Sequence, residues 1–337
     1  MGKGGHRLSA AFEAVNTFPA LSEAVDRLLK LTNSEGTSSG DIADAVELDT
    51  AIAIAVMRAA NNGGAPKGGV PTLIEAVDAL TPAGVRAVAG QLNTYEPFGA
   101  VGNWSRVPER FRRHAVATRH AAEKIAELGD VGSAEEISTA ATLHDVGQLV
   151  LLRLHPEYPR IHDDRGVTPE ERNQTERRDL GIDHTLVGGV LARRWGLPSA
   201  VASAIERHHS DSAEGVAAAV RLADMIVHHS IGDAVDADAM MGMGAECGLS
   251  RERLMQIVYE FPHSGTPKQR RAEPCPLSKR ELDALRGLAE GRVYKEIAAD
   301  MSLSASTVRT HLHNVYRKIG AADRAQAVLV ARERGWV

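Results

Sequence analysis

The stretch from Pro276 to Val337 constrains the chain most, because its apolar residues fall at helical spacing in four blocks too short to fold except against one another. Leu282, Leu285 and Leu288 form the first block, and Ile297, Ala298 and Met301 the second. Val308, Leu312, Val315 and Ile319 form the third, and Ala327, Val328 and Val330 the last. Only Ser302, Leu303 and Ser304 separate the second block from the third, so the chain turns tightly there, with Ser304 placed to cap the following helix. Two short helices joined this way form a helix-turn-helix, whose second helix can enter the major groove of DNA. Away from its apolar stripe that helix carries Ser306, Thr307, Arg309, Thr310, His313 and Arg317. Arg309 can fork onto a guanine edge, Thr310 can touch a thymine methyl, and His313 stands one turn further on. Lys295, Arg317 and Lys318 are expected on phosphates. A plain four-helix core with solvated charges is the competing reading, and the agreement of charge, turn and spacing favours the DNA reading.

Charge divides the chain in the same place. Its 39 Lys+Arg and 44 Asp+Glu give a net of −5. From His263 onward there are 14 basic and 8 acidic residues, a net of +6, which leaves −11 on the remainder. The phosphate-seeking field therefore belongs to the C-terminal part alone. The segment also strongly resembles the LuxR/NarL (GerE-type) family. It shows L-S-x-R-E at Leu277–Glu281, G-x-x-x-K-E-I-A at Gly291–Ala298, S-x-x-T-V-x-x-H at Ser304–His311 and K-I-G at Lys318–Gly320. The resemblance implies a module that reads double-stranded DNA with its third helix and often pairs through its fourth. A homodimer is expected, with Ala325, Val328, Leu329 and Ala331 as its contact within the heads.

The preceding residues are rich in Ala, Leu, Val and Ile and poor in aromatics. Helical blocks are expected at Leu21–Leu31, Ser39–Val46, Thr50–Asn61, Thr72–Ala79, Pro82–Leu92, Arg110–Leu128, Ala134–Leu154, His184–Trp195, Ala200–His208, Gly215–His229 and Arg251–Phe261. Breakers at Gly63–Gly64, Lys67–Gly69 and Gly99–Gly102 separate some of them. Gly232–Gly248 reads as a loose segment. The fold class expected is all-α, a helical bundle followed by a small four-helix domain. The division expected is a tail over 1–11, a sensor domain over 12–262 (preamble 12–100, core 104–230), a linker over 263–275 with Lys268, Arg270 and Arg271, and the DNA-binding domain over 276–337. No apolar run approaches a membrane span, the first residues lack the apolar core of a signal peptide, and Cys247 and Cys275 are too few for a disulfide framework. A cytoplasmic protein without membrane contact is expected.

Histidines and aspartates gather inside the helical blocks after Arg110. They are His114, the pair His144–Asp145, His184, the pair His208–His209, and Asp224. Imidazole and carboxylate together suit a divalent metal, and helices of one bundle can bring them inward from distant positions. The pattern resembles the HD metal-dependent phosphohydrolase superfamily, specifically its HDOD branch. It is carried by T-L-H-D-V-G-Q-L-V-L at Thr142–Leu151, G-I-D-H-T-L-V-G-G-V-L-A-R-R-W-G-L-P at Gly181–Pro198 and A-I-E-R-H-H at Ala204–His209. Leu48–Asn62 and Thr72–Leu80 are similar to the helical preamble of that branch. The resemblance implies His114, His144, Asp145 and Asp224 as ligands of one ion, and His184, His208 and His209 as the additional ligands of two-metal relatives. The cofactor expected is a divalent transition metal (iron, manganese or zinc), one or two ions.

Three departures set this chain apart from the cyclic-dinucleotide phosphodiesterases of the superfamily. Ser210-Asp211-Ser212 follows the double His in place of Gly-Tyr-Pro, Gln148 stands where a Lys is usual, and Arg110 stands where an acidic ligand is usual. No phosphate-binding Gly-rich loop or thiolate cluster competes as a catalytic centre. The reading is a one-component transcription regulator with no catalytic residues, whose HDOD-like domain senses a small ligand, such as a nucleotide, or the metal itself. The alternatives are a metal-dependent phosphodiesterase tethered to DNA, and a scaffold that binds a protein partner.

Overall fold

The computed structural model describes residues 10–62, 69–96, 107–262, 275–289, 292–301, 303–321, 324–333 and 336. The chain divides into two compact units, Met1–Lys268 and Gln269–Val337. Most of the expected tail, the glycine breakers apart from Gly69, and the linker apart from Cys275 lie outside the described residues.

Among its described residues the first unit is helical, apart from one short parallel pairing of β1 (Ala20–Leu21) with β2 (Thr94–Tyr95). Its N-terminal part contains α1 (Ser22–Asn33), α2 (Ser39–Glu47), α3 (Thr50–Asn62) and α4 (Leu73–Ala89). Helix α3 is buried nearly all round, as its run of Ala, Ile and Val requires. The two blocks expected at Thr72–Ala79 and Pro82–Leu92 are kept apart within α4 at Thr81, whose φ of 62° and ψ of 162° are not helical, beside Pro82, whose ring cannot continue the helix ladder.

The remainder is built on α5 (Val107–Leu128), which packs along α6 (Ala134–Leu143) and α12 (Gly215–Ser230). Between them come α7 (Val146–Leu154), α8 (Tyr158–His162), α9 (Pro169–Leu180), α10 (His184–Arg194) and α11 (Ser199–Arg207). The single helix expected over Ala134–Leu154 is two, and the break falls on His144–Asp145. The physical reason is close packing. A Cβ on Gly147 would lie 2.0 Å from the His184 carbonyl oxygen, so α7 meets the start of α10 backbone to backbone and cannot continue the line of α6. Helix α9 has no apolar periodicity to betray it. It starts at a capping box, Thr168 with Glu171, followed by Pro169 at the first helical position.

The segment expected to be loose contains α13 (Ala237–Glu246), started by the Asp236 side chain, which accepts from the N–H groups of Asp238 and Ala239. Its Ala and Met residues are good helix formers, and Met240 packs into the core. Helix α14 (Arg251–Glu260) follows.

The second unit holds α15 (Lys279–Ala289), α16 (Tyr294–Asp300), α17 (Ala305–Ile319) and α18 (Arg324–Glu333). Val308, Leu312 and Val315 bury one stripe of α17 against Leu285, Leu288, Ile297, Ala298 and Ala327. Ser304 caps α17 by accepting from Thr307 N–H at 3.1 Å, and Gly320 ends it in the left-handed conformation (φ 72°).

Candidate metal centre and nucleic-acid interface

All seven sequence-predicted metal residues meet in the first unit. His114 comes from the middle of α5, His144 and Asp145 from the α6–α7 break, and His184 from the first turn of α10. His208 and His209 follow α11, and Asp224 projects from α12. The break at His144–Asp145 lets two adjacent side chains face one centre, which a continuous helix would spread by about 100°.

Backbone and carboxylate partners aim the imidazoles. His144 Nδ1 donates to the Ala141 carbonyl at 2.7 Å, and His208 Nδ1 donates to that of Ile205 at 2.7 Å. His184 Nδ1 donates to Glu176 Oε2 at 2.7 Å, and Glu176 is itself held by the Tyr158 hydroxyl at 2.8 Å. Each ring therefore turns Nε2 inward, the arrangement that outer partners impose on metal-binding histidines. Inside, His184 Nε2, His208 Nε2, His209 Nδ1 and Asp224 Oδ1 are buried and make no hydrogen bond. Such atoms are costly unless a further group answers them.

The spacing of the donors suits a metal ion. His114 Nε2 lies 3.2 Å from His144 Nε2, 3.4 Å from Asp145 Oδ2 and 3.1 Å from Asp224 Oδ1. His144 Nε2 lies 3.4 Å from Asp145 Oδ2 and 3.7 Å from Asp224 Oδ1. Donors held tetrahedrally at 2.0–2.1 Å from one ion are about 3.3–3.4 Å apart, so these four atoms fit a transition metal. Asp145 turns its other oxygen to His184 Nε2 at 3.4 Å and His208 Nε2 at 3.8 Å. His184, His208 and His209 form a second cluster within ligand spacing, so Asp145 faces both.

Electrostatics agrees. Burial would raise the carboxyls of Asp145 and Asp224, yet the imidazoles around them hold both well below the ordinary range. In return, against burial, Asp145 and Asp224 lift His144 to about 10, and Glu176 and Asp145 lift His184 to about 9. Burial and these charged neighbours push His208 down to about 3, and burial lowers His114. The two buried negative charges thus draw compensating protons, and a divalent cation answers the same field while displacing them.

The sequence reading missed His228, one turn after Asp224 on α12, whose Nε2 lies 3.3 Å from Asp224 Oδ1. It also missed the outer partners Glu176 and Asp233. The i, i+4 spacing of Asp224 and His228 was the available signal. A cavity of about 1900 Å³ opens on the centre. Asp145, His184, His209, Asp224 and His228 line it together with Gln148, Arg113, Arg165 and Arg172. Arg110, which stands in place of an acidic ligand, pairs with Asp163 at 2.5 Å.

In the second unit Ser306, Arg309, Thr310, His313 and Arg317 are exposed on α17, and Thr307 is half-buried beside the cap. Arg309 lies over the Tyr294 ring, 6.0 Å from its centre, and Lys295 is exposed on α16. Lys318, expected on phosphate, donates to Glu281 Oε2 at 2.7 Å, which ties α17 to α15. Ala331 is buried and Val328 packs inward, so both serve the unit's own core; the side chains of Ala325 and Leu329 lie outside the described residues.

Comparison with known proteins finds matches in both units. The HDOD domain model matches residues 18–211, and the model for bacterial regulatory proteins of the luxR family matches residues 275–331. The transcriptional regulatory protein YhcZ of Bacillus subtilis is 35% identical over 88 residues, covering 26% of this chain and 40% of the relative. The CsgBAC operon transcriptional regulatory protein of Escherichia coli is 37% identical over 75 residues, covering 22% and 35%. The chain thus spans well under half the length of these relatives. Among solved structures, the MmoQ response regulator from Methylococcus capsulatus superposes with a TM-score of 0.56 at 23% identity, over 72% of this chain and 98% of that one. A virulence factor from Campylobacter jejuni gives 0.58 at 16% identity, over 75% and 96%. At such identities the two structures speak for the fold alone. The HDOD match spans more than half of the chain, and the chain belongs to the HDOD family, with a luxR-family regulatory domain following it.

Proposed function

We propose that the chain is a transcription regulator in which α17 reads specific double-stranded DNA and the HDOD unit is a metal-holding sensor. The observation that carries the reading is α17 itself. Its apolar stripe is buried and its cap is formed, while Ser306, Arg309, Thr310, His313 and Arg317 are left exposed on a unit of net positive charge. One such helix reads only a few base pairs, which favours a homodimer on two half-sites.

In the sensor, His114, His144, Asp145 and Asp224 would hold one ion, and Asp145 with His184, His208 and His209 a second. When bound, a divalent ion polarises a phosphate oxygen or acidifies a bound water. The chain's own residues favour binding over turnover. Gln148 is neutral and buried where phosphodiesterase relatives carry Lys, and no Gly-Tyr-Pro follows His209. Arg113, exposed along the cavity, suits an anionic small ligand such as a nucleotide.

The test is selection of a binding site from random DNA by the full chain, with metal content measured on the same protein. Enrichment of one motif by wild type, and its loss in Arg309→Ala, is expected. A protein that enriches no sequence would sink the regulator reading, and efficient hydrolysis of a cyclic dinucleotide would replace the sensor with an enzyme.

A further inference from the structure

We propose that His228 is a fifth protein donor to the ion held by His114, His144, Asp145 and Asp224, closing a position that a catalytic ion keeps open. The inference rests on the metal reading above and deepens it. His228 Nε2 lies 3.3 Å from Asp224 Oδ1, within the 3.1–3.7 Å spacing of the other donors. His114, Asp224 and His228 all lie within ligand reach of one another. The HDOD match ends at residue 211, so it does not extend to His228.

The ring is aimed as the other ligand rings are. His228 Nδ1 lies 2.8 Å from Asp233 Oδ2 and 3.2 Å from Arg172 Nη2, and the tautomer that donates to Asp233 leaves the Nε2 lone pair for the centre. Asp233 does not need His228 as its counter-ion, because Arg165 at 2.5 Å and Arg172 at 3.3 Å already answer its charge. His228 also lines the cavity, so its ring occupies part of the approach to the ion.

The functional consequence follows from coordination chemistry. Structural ions are surrounded by protein donors, whereas catalytic ions keep a place for water or substrate. A fifth protein donor takes a position at which water would otherwise be activated and weights this ion toward a structural and signalling role.

Cobalt(II) is the probe, since its visible absorption is weak when five-coordinate and strong when tetrahedral. The full chain and its His228→Gln and His228→Ala variants would be loaded with cobalt, and affinity read by competition with a chelator. Wild type should give the weak five-coordinate spectrum. Both variants should shift toward the tetrahedral spectrum and lose at least tenfold in affinity, and free imidazole should restore the wild-type spectrum to His228→Ala. Circular dichroism of the cobalt-free proteins checks that the variants fold, and should one not, the other carries the comparison. Unchanged spectrum and affinity in a folded variant would overturn the role of His228 while leaving the metal centre standing. A wild-type protein that takes up no cobalt would overturn the metal reading itself.

Discussion

The two units place their functional groups in opposite ways. In the first, His144, Asp145, His184, His208 and Asp224 are buried at a junction of helices, and each of the three imidazoles is held by a partner that is itself inside. In the second, Arg309, Thr310, His313 and Arg317 stand on the outside of a helix whose apolar side does the folding. A surface reader can therefore change its contacts with little effect on folding. A buried centre cannot, because each member is both chemistry and core.

Glycine substitutions give the largest contrast. Gly147→Ala would place a Cβ 2.0 Å from the His184 carbonyl and 2.7 Å from the Gly188 nitrogen, both backbone atoms that have nowhere to go. Thermal unfolding should show a loss of about 3 kcal/mol or more in the first unit, with weakened metal retention. Gly287→Ala in α15 meets Ile297 Cγ1 at 2.8 Å, part of a buried β-branched side chain that must shift but is not backbone, and the gain in helix propensity offsets part of that cost. The second unit should lose less than the first, about 1–2 kcal/mol. Equal losses in the two variants would erase the contrast.

Next in size is the DNA contact. Arg309→Ala should cost about 1–3 kcal/mol in specific binding and relax preference at one base pair, without changing the melting of either unit. Lys318→Ala should behave differently. Because Lys318 holds Glu281, its loss should lower the stability of the second unit, visible in urea titration as a lower midpoint. An Arg309→Ala protein with undiminished specific affinity would remove α17 from its reading role.

The smallest effects are in pH. Asp49 is buried among the N–H groups of Leu21, Ala51 and Ile52, and burial raises it to about 6. A raised carboxyl stabilises the fold while protonated, so its contribution is full below the unfolded value of 3.8 and is lost as pH rises through about 6. Glu281 is opposite: the Lys318 ammonium holds it at about 2, so its contribution is present above 4.5 and is lost as pH falls through about 2. The stability advantage of wild type over Asp49→Asn should narrow between pH 4 and 6. That over Glu281→Gln should narrow only below pH 4.5. The two dependences running in the same direction would contradict these assignments.

What was legible in the sequence follows the same division. Surface-reading residues are what an apolar stripe leaves over, so Ser306 through Arg317 could be read from Val308, Leu312 and Val315 alone. The seven inward residues came from a resemblance, because no local period links His114 to Asp224 across more than a hundred positions. Glu176 and Asp233 act through tertiary contacts on His184 and His228, and nothing beside them in the chain marks that role. Helix boundaries failed where packing overruled periodicity, at His144–Asp145, and where a helix had no apolar face, at α9.

The central claim is that the state of the buried centre governs the exposed reader, and affinity for the selected DNA site measures it most directly. Wild type and Asp145→Ala would each be titrated with metal and with chelator, at one salt concentration. Linkage requires that if metal shifts the chain toward the DNA-competent arrangement, DNA tightens metal binding by the same factor. The expected result is an affinity change of at least about fivefold between metal-loaded and chelated wild type, with no such change in Asp145→Ala. Equal affinities in all four titrations would contradict the account and leave the centre as core architecture.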